Sequence, residues 1–290
     1  MFKKAEKTQQ KLRLALYGPS GTGKTYSGLL IAKELGARIA VVDTEHGSAS
    51  KYAGDAGIPD FDVCELTRFA PDDYIKALKS AAEYDVTIVD SLSHAWMGKG
   101  GLLDQADAKG GKFAAWAELT PQQNNLVEAI LAHPGHLIAT MRSKTAYEVG
   151  KDDRGKTTVE RLGTAAIQKD GLEYEFDVVG LMDQSNTMHV IKSRCAMVRG
   201  EYRKPGADLA KTLMSWLGSG APAPPPSQPK PVAPDEDRIA AGLAKILACQ
   251  TIADLEIIGN GLGHPSMPKA VKSALAGPFA ERLTHLMATA

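Results

Sequence analysis

The 290-residue chain has three cysteines, Cys64, Cys195 and Cys249, an odd number and widely scattered. That pattern supports neither a disulfide framework nor a zinc site, and it fits neutral thiols in a reducing cytoplasm. An excess of charge of one sign is also missing, because 34 Lys and Arg balance 34 Asp and Glu. A surface for a polyanion must therefore be a local patch. No apolar run approaches the roughly 20 residues that a membrane-spanning helix needs, so no membrane partner is expected. The basic start, MFKKAEKTQQKLR, has no apolar stretch behind it and does not read as a secretory signal. Internal repeats are absent as well.

What the chain does have is an alternation of apolar runs and amphipathic stretches. Residues 12–18, 38–43, 86–90 and 136–141 read as strands, apolar on both faces. Residues 24–36, 72–84 and 121–133 read as helices between them, the first stopped by Gly36. Such alternation predicts an α/β fold, a mostly parallel sheet covered by helices on both sides. Residues 173–183 and 187–194 then flank a short polar stretch and read as a hairpin at the far side of the sheet. A closing helix is expected at 207–218. Residues 219–237 are dominated by Pro and Ala and read as an extended linker. Helical periodicity resumes after it. The expected organisation is a core at 1–218, a linker at 219–237 and a small helical C-terminal domain at 238–290.

The strongest local pattern is GPSGTGKT, comprising Gly18, Pro19, Ser20, Gly21, Thr22, Gly23, Lys24 and Thr25. It follows a strand and opens a helix. The glycines allow several backbone N–H groups to turn inward, and the helix start adds partial positive charge, so the loop reads as a phosphate cradle. Lys24 is placed to reach the β- and γ-phosphates of ATP, and the Thr25 hydroxyl to bind Mg2+. Asp90 ends the strand VTIVD, at the edge where open parallel sheets bind ligands. It reads as the carboxylate on the Mg2+ side, facing Thr25; a turn-capping aspartate is the alternative. Glu45 follows the strand ending at Asp43. If that strand shares the sheet, Glu45 opens on the cradle's edge, where a carboxylate can orient or deprotonate a water. The residues alone leave a solvated turn acid equally open.

VVDTEHGSASKYA (41–53) resembles the segment of bacterial RecA in which a strand ends Asp-Ala-Glu-His shortly before Tyr-Ala. DYIKALKSAAEYDVTIVDSLSHAW likewise resembles the RecA helix that leads into its Walker B strand and the Val-Asp-Ser that follows. The likeness covers residues 12–203 as aligned motifs and is similar above all to the short RecA-type ATPases of bacteriophages, associated with single-strand annealing and recombination. It implies a RecA-like P-loop core that binds ATP and Mg2+ and hydrolyses ATP, stimulated by DNA, with Glu45 as the catalytic carboxylate. It also implies single-stranded DNA as partner, and a homo-oligomer with ATP at subunit interfaces. Lys192 and Arg194, two apart on a predicted strand, would act there with Lys24, reaching a neighbour's nucleotide; two exposed strand cations are the alternative. RecA ends its sensor strand with Asn-Gln, where this chain has Thr140-Met141 and then Arg142. Methionine cannot hydrogen-bond a phosphate as glutamine does, so Thr140 or Arg142 would take that role.

Residues 142–169, with seven cations and four acids, occupy the position of a DNA-binding loop, with Tyr147 available for base stacking. The glycine-rich residues 97–113 occupy that of another. From Glu236 on, five cations balance five acids, which favours a protein-docking role for the C-terminal domain. Three other functions compete. An AAA-type loader or remodelling ATPase would carry an Arg-containing helical lid directly after the core. A nucleotide-switched adaptor would not hydrolyse ATP. A small-molecule kinase would need an acceptor site, for which no motif is evident.

Overall fold

The computed structural model describes residues 4–111, 113–151, 157–221, 235–263 and 267–289, with side chains described outside 146–162, 236–237, 263 and 288–289. Two compact units divide the chain, Met1–Ala223 and Pro224–Ala290.

The first unit is built on a nine-stranded sheet. In chain order its elements are β1 (Arg13–Gly18), α1 (Lys24–Leu35), β2 (Ile39–Asp43), β3 (Asp62–Glu65), α2 (Pro71–Ser80) and β4 (Val86–Asp90). There follow α3 (His94–Met97), α4 (Leu102–Ala108), α5 (Trp116–Leu131), β5 (His136–Lys151) and β6 (Thr157–Ala166). The unit closes with β7 (Val178–Met182), β8 (Met188–Ser193), β9 (Tyr202–Arg203) and α6 (Ala207–Gly218). The strand order is β3-β2-β4-β5-β1-β7-β8-β9, with β6 paired to β5 alone. Pairing is parallel from β3 to β7, and β8 and β9 are added antiparallel.

The central strands are apolar on both faces because each face has its own helical layer. Leu14, Leu16, Ile88 and Ile138 pack with Leu29 and Ile31 of α1 and Leu209 and Leu213 of α6. Their neighbours Ala15, Tyr17, Val89 and Ala139 point the other way, into a layer with Tyr74 and Leu78 of α2 and Leu126 and Ile130 of α5. Successive side chains of a strand alternate between faces, so one short apolar run feeds two cores. This confirms the α/β fold expected from the sequence.

Several expectations need correction. Strand β3 was not foreseen; it is an edge strand whose four residues are all exposed, so no apolar pattern marks it. Helix α2 stops at Ser80 rather than at 84. Within 142–169, the described residues 142–151 and 157–166 are strand rather than loop. β5 runs on past the sheet and turns back as β6, pairing from Ser143 with Ala166 to Lys151 with Thr157. The Tyr147 side chain lies outside the described residues. The glycine-rich stretch 97–113 contains helix α4.

Most of the expected linker, residues 222–234, lies outside the described residues. The residues just before it join the first unit: the Ala221 N–H donates to the Lys7 carbonyl, and the Gln9 N–H to the Ala221 carbonyl, both at 2.9 Å. The second unit holds α7 (Asp235–Ala248), α8 (Ile252–Gly263) and α9 (Lys269–Thr289), packed around Ile246, Leu255, Val271 and Leu275. Among the described residues no helix is long and apolar enough to cross a membrane.

Candidate functional site

Strand β1 delivers the chain to Gly18 and α1 begins at Lys24, so the glycine-rich loop spans the carboxyl edge of the sheet. At Gly18 the neighbouring strand is close: a Cβ there would stand 2.5 Å from the Met182 carbonyl oxygen. Gly23 has φ 75°, a left-handed conformation that side-chain-bearing residues rarely adopt. It lets the loop turn sharply into the helix. The Lys24 ammonium curls back over the loop and donates to the carbonyls of Gly18 (3.0 Å) and Pro19 (2.7 Å). Burial lowers its pKa, opposed by the nearby charges of Asp90 and Glu45.

Asp90 is 2% exposed at the end of β4. One carboxylate oxygen accepts from the Thr25 hydroxyl at 2.6 Å and the other from the Thr140 hydroxyl. Burial raises its pKa, and the two hydroxyls only partly offset that. The donor set suits a hard divalent cation: a hydroxyl and a carboxylate, both oxygen, beside a phosphate cradle. Mg2+ commonly takes one or two protein oxygens and fills its remaining positions with phosphate and water. Among the described residues no group of three or more His, Cys, Asp or Glu could form a complete metal cage. Thr25 and Asp90 are the residues that would hold such an ion, and it would neutralise phosphate charge.

In register β2 pairs Asp43 with Asp90, so the turn after Asp43 opens on the cradle's edge. The two acids there divide their roles. Asp43 is 1% exposed and accepts from the backbone N–H groups of Glu45 (2.6 Å) and Ala49 (3.2 Å), which fixes the turn. Glu45 faces the cleft. Its carboxylate receives two bonds from Arg142, 3.0 Å from Nε and 2.5 Å from a terminal nitrogen. His94 Nε2 lies 3.9 Å from the same carboxylate. Burial pushes the Glu45 pKa up, but the Arg142 bonds outweigh it and hold the group below its ordinary value.

His94 is itself held by two contacts besides Glu45. Its Nδ1 shares a hydrogen bond with the Thr44 hydroxyl at 2.7 Å, and its ring stacks on Phe69 at 4.9 Å. The Thr44 hydroxyl also accepts from the Ser91 N–H at 2.8 Å. The β2 turn and the segment after β4 thus form one hydrogen-bonded unit.

The resulting cleft has a volume of about 570 Å³ and is lined by the cradle, Glu45, Tyr52, Asp90 and Arg142. The arrangement can cradle phosphates, hold a cation and present a carboxylate to the same space. Of the predicted cradle residues, Gly18, Pro19, Ser20, Gly21, Gly23, Lys24 and Thr25 lie around it with Asp90 and Glu45, whereas Thr22 is buried and its hydroxyl donates to the Pro19 carbonyl at 2.9 Å. Of the two sensor candidates, Thr140 is fully buried and committed to Asp90, whereas Arg142 lines the cleft.

Lys192 and Arg194 lie elsewhere. The Lys192 ammonium donates to the carbonyls of Glu173 (3.1 Å), Tyr174 (2.7 Å) and Phe176. Arg194, just past the end of β8, pairs with Asp177 at 2.9 Å. The Asp177 N–H donates to the carbonyl of Arg13, the first residue of β1. Both cations therefore sit at the opposite end of β1 from the cradle, roughly 17 Å away at strand spacing. Within one chain they do not meet the cleft.

Sequence reasoning missed the supports of the site. The Gln184 side-chain amide donates to the Ser20 carbonyl at 3.3 Å, and a Cβ on Gly23 would stand 2.9 Å from the Asn186 amide nitrogen. The β7–β8 turn therefore props the cradle. Thr44, His94 and the pairing of Arg142 with Glu45 were also missed; no local spacing signals a contact between residues so far apart in sequence.

A family profile described as AAA domain (AAA_24) matches residues 10–205. No curated protein sequence matches the chain.

Proposed function

The chain belongs to the AAA domain family, which makes its core a P-loop nucleotide-binding domain, and from that premise we propose that it hydrolyses ATP in the manner of RecA and acts on single-stranded DNA. One observation carries the proposal: two carboxylates on one sheet edge with different environments. Asp90 is buried and bonded to Thr25 on the cradle, whereas Glu45 opens into the cleft. Two acids so divided suit a cation-holding role and a water-activating role. In the step proposed, a water oxygen forms the new bond to the γ-phosphorus while the bond to the β–γ bridging oxygen breaks. The leaving diphosphate takes that electron pair, and the water's proton passes to Glu45. Lys24 stabilises the charge on the phosphates.

The β5–β6 hairpin is the surface proposed for single-stranded DNA. It springs from the strand that flanks the cradle, and residues 142–169 carry seven cations against four acids. The chain after β7 favours a RecA-type arrangement over a loader with a helical lid: it continues into antiparallel β8 and β9, and α6 then packs back on α1. ATP sites between copies are part of the proposal on the resemblance to RecA; to serve a neighbouring subunit's nucleotide, Lys192 and Arg194 would exchange the carbonyls and the Asp177 carboxylate that hold them within the chain. A role in phage or prophage recombination or replication rests on the resemblance to RecA-type phage ATPases.

The test is ATP turnover with and without single-stranded DNA, in the parent and in Glu45→Gln. Turnover should rise with DNA and fall at least about 100-fold in the variant while nucleotide binding survives, the usual range for loss of a general base. A variant that hydrolyses as fast as the parent removes Glu45 from the mechanism. Turnover indifferent to DNA, together with no gel shift, returns the chain to the remodelling or adaptor readings.

A further inference from the structure

The ion pair between Glu45 and Arg142 joins two parts of the molecule with separate tasks. Glu45 stands on the cleft side of the β2 turn. Arg142 stands where β5 leaves the sheet to become the hairpin, opposite Gly18 in register. We propose that Arg142 is a nucleotide-responsive clamp: it holds Glu45 unreactive until the terminal phosphate of a nucleoside triphosphate takes the guanidinium away. The proposal rests on the reading of Glu45 as the water-activating carboxylate.

Three observations carry it. First, the pair is two-pronged, with both carboxylate oxygens engaged at 3.0 and 2.5 Å. A carboxylate held this way is a weak proton acceptor, because taking a proton means giving up charge-assisted bonds. The direction of the Glu45 pKa, below its ordinary value, agrees. Second, the guanidinium lines the same cleft as Lys24 and is 44% exposed, so it is held by Glu45 rather than by packing. A terminal phosphate in the cradle offers a second planar-fork acceptor with more charge than one carboxylate.

Third, the backbone of Arg142 is the root of the hairpin. Its N–H donates to the Ser93 hydroxyl at 2.9 Å, and its carbonyl accepts from the Ile167 N–H at 2.7 Å. Gln168, 4% exposed, ties the other root to the Leu92 carbonyl at 3.0 Å, two residues past Asp90. A guanidinium that changes partner therefore pulls on the first hairpin pair, Ser143 with Ala166. One arginine thus links release of the carboxylate to the position of the proposed DNA arm.

The experiment is equilibrium binding of a nucleoside diphosphate and a non-hydrolysable triphosphate to the full chain, in the parent, Arg142→Ala, Arg142→Lys, Glu45→Gln and the Glu45→Gln/Arg142→Ala double variant. Arg142→Ala should lose about 10- to 100-fold of the preference for triphosphate, the range for a lost hydrogen bond to a charged group, with diphosphate affinity unchanged. Arg142→Lys keeps the charge without the fork and should restore part of it. Glu45→Gln frees the guanidinium and should strengthen triphosphate binding several-fold, and that gain should vanish in the double variant. An Arg142→Ala protein that keeps the parent's preference overturns the clamp, and so does a Glu45→Gln gain that persists in the double variant. Binding ratios need no turnover, so failure of the hydrolytic reading shows separately, in the turnover of Glu45→Gln.

Discussion

Acid should destabilise the core through two histidines that the site does not use. His133 and His136 are 4% and 3% exposed, between α5 and the start of β5. His136 Nδ1 accepts the Leu12 N–H at 3.1 Å, so that nitrogen must be unprotonated in the fold. His133 Nε2 shares a hydrogen bond with the Thr87 hydroxyl at 2.9 Å. Burial, reinforced by nearby positive charge that includes Arg13, lowers both pKa values to about 4. In the unfolded chain each takes up a proton near its ordinary value of about 6.5.

Because the folded pKa is the lower one, the unfolded state binds more protons as pH falls through 6.5, and stability drops until about pH 4. Moving from pH 7 to pH 5 then costs about 2 kcal/mol per histidine, about 4 kcal/mol for the pair, as an upper figure. Asp90, whose pKa is raised, works in the opposite direction, and His94, also lowered, works in the same one. Neither is altered in a His133→Gln/His136→Asn variant, whose amides replace the two hydrogen bonds without titrating. Denaturant unfolding at pH 7 and pH 5 measures the effect. The parent should lose several kcal/mol more than the variant between the two pH values. Equal losses in both would refute the assignment of the acid sensitivity to these rings.

Two substitutions test the supports of the site. Gly18→Ala places a Cβ 2.5 Å from the Met182 carbonyl oxygen, a contact between two backbones that cannot be relieved by a rotamer change. It should destabilise by about 1–3 kcal/mol and abolish nucleotide binding, read by thermal melting and a nucleotide titration; an unchanged melt counts against the close approach of β1 and β7. Thr140→Val removes the hydroxyl bonded to Asp90 at nearly constant volume. The orphaned carboxylate oxygen should lower stability by about 1–3 kcal/mol without nucleotide and change the Mg2+ concentration needed for half-maximal nucleotide binding; an unaltered melt and Mg2+ titration would show that the bond matters little.

How much of this could be read from the chain depended on where each feature lies. The central strands were legible because burial on two faces leaves an uninterrupted apolar run, and the cradle because its glycines and Lys24 are contiguous. β3 was not, since an exposed edge strand such as Asp62–Glu65 carries no apolar signature. The β5–β6 hairpin was hidden by its sequence: residues 142–169 carry seven cations and four acids and no uninterrupted apolar run of strand length, so the segment reads as loop. Lys192 and Arg194 were read as two residues of one strand; Lys192 is on β8 and Arg194 just past its end, and both side chains reach the Tyr174 carbonyl. Which end of the sheet they occupy depends on pairing of β7 with β1 and β8, information that no single segment contains. For Glu45 the residues left a solvated turn acid equally open and likeness decided between the readings, while the residue that grips it lies on a distant strand and had been considered for the phosphate and the DNA loop.

The same alternation that builds the two cores explains the departure at the sensor strand. On β5, Leu137, Ala139 and Met141 all pack into the α2–α5 layer, and Met141 is 1% exposed there. Ile138 belongs to the α1 layer, and Thr140 and Arg142 share its parity. Thr140 duly reaches Asp90 and Arg142 reaches Glu45. A polar side chain at position 141 would face α2 and α5, away from the cradle, whatever its chemistry. Methionine there removes no donor from the cleft. The side chains of this strand that turn toward the cradle are fixed by the pleat at 140 and 142, and because Thr140 is spent on the carboxylate beside Thr25, Arg142, the partner of Glu45, is the one that lines the cleft.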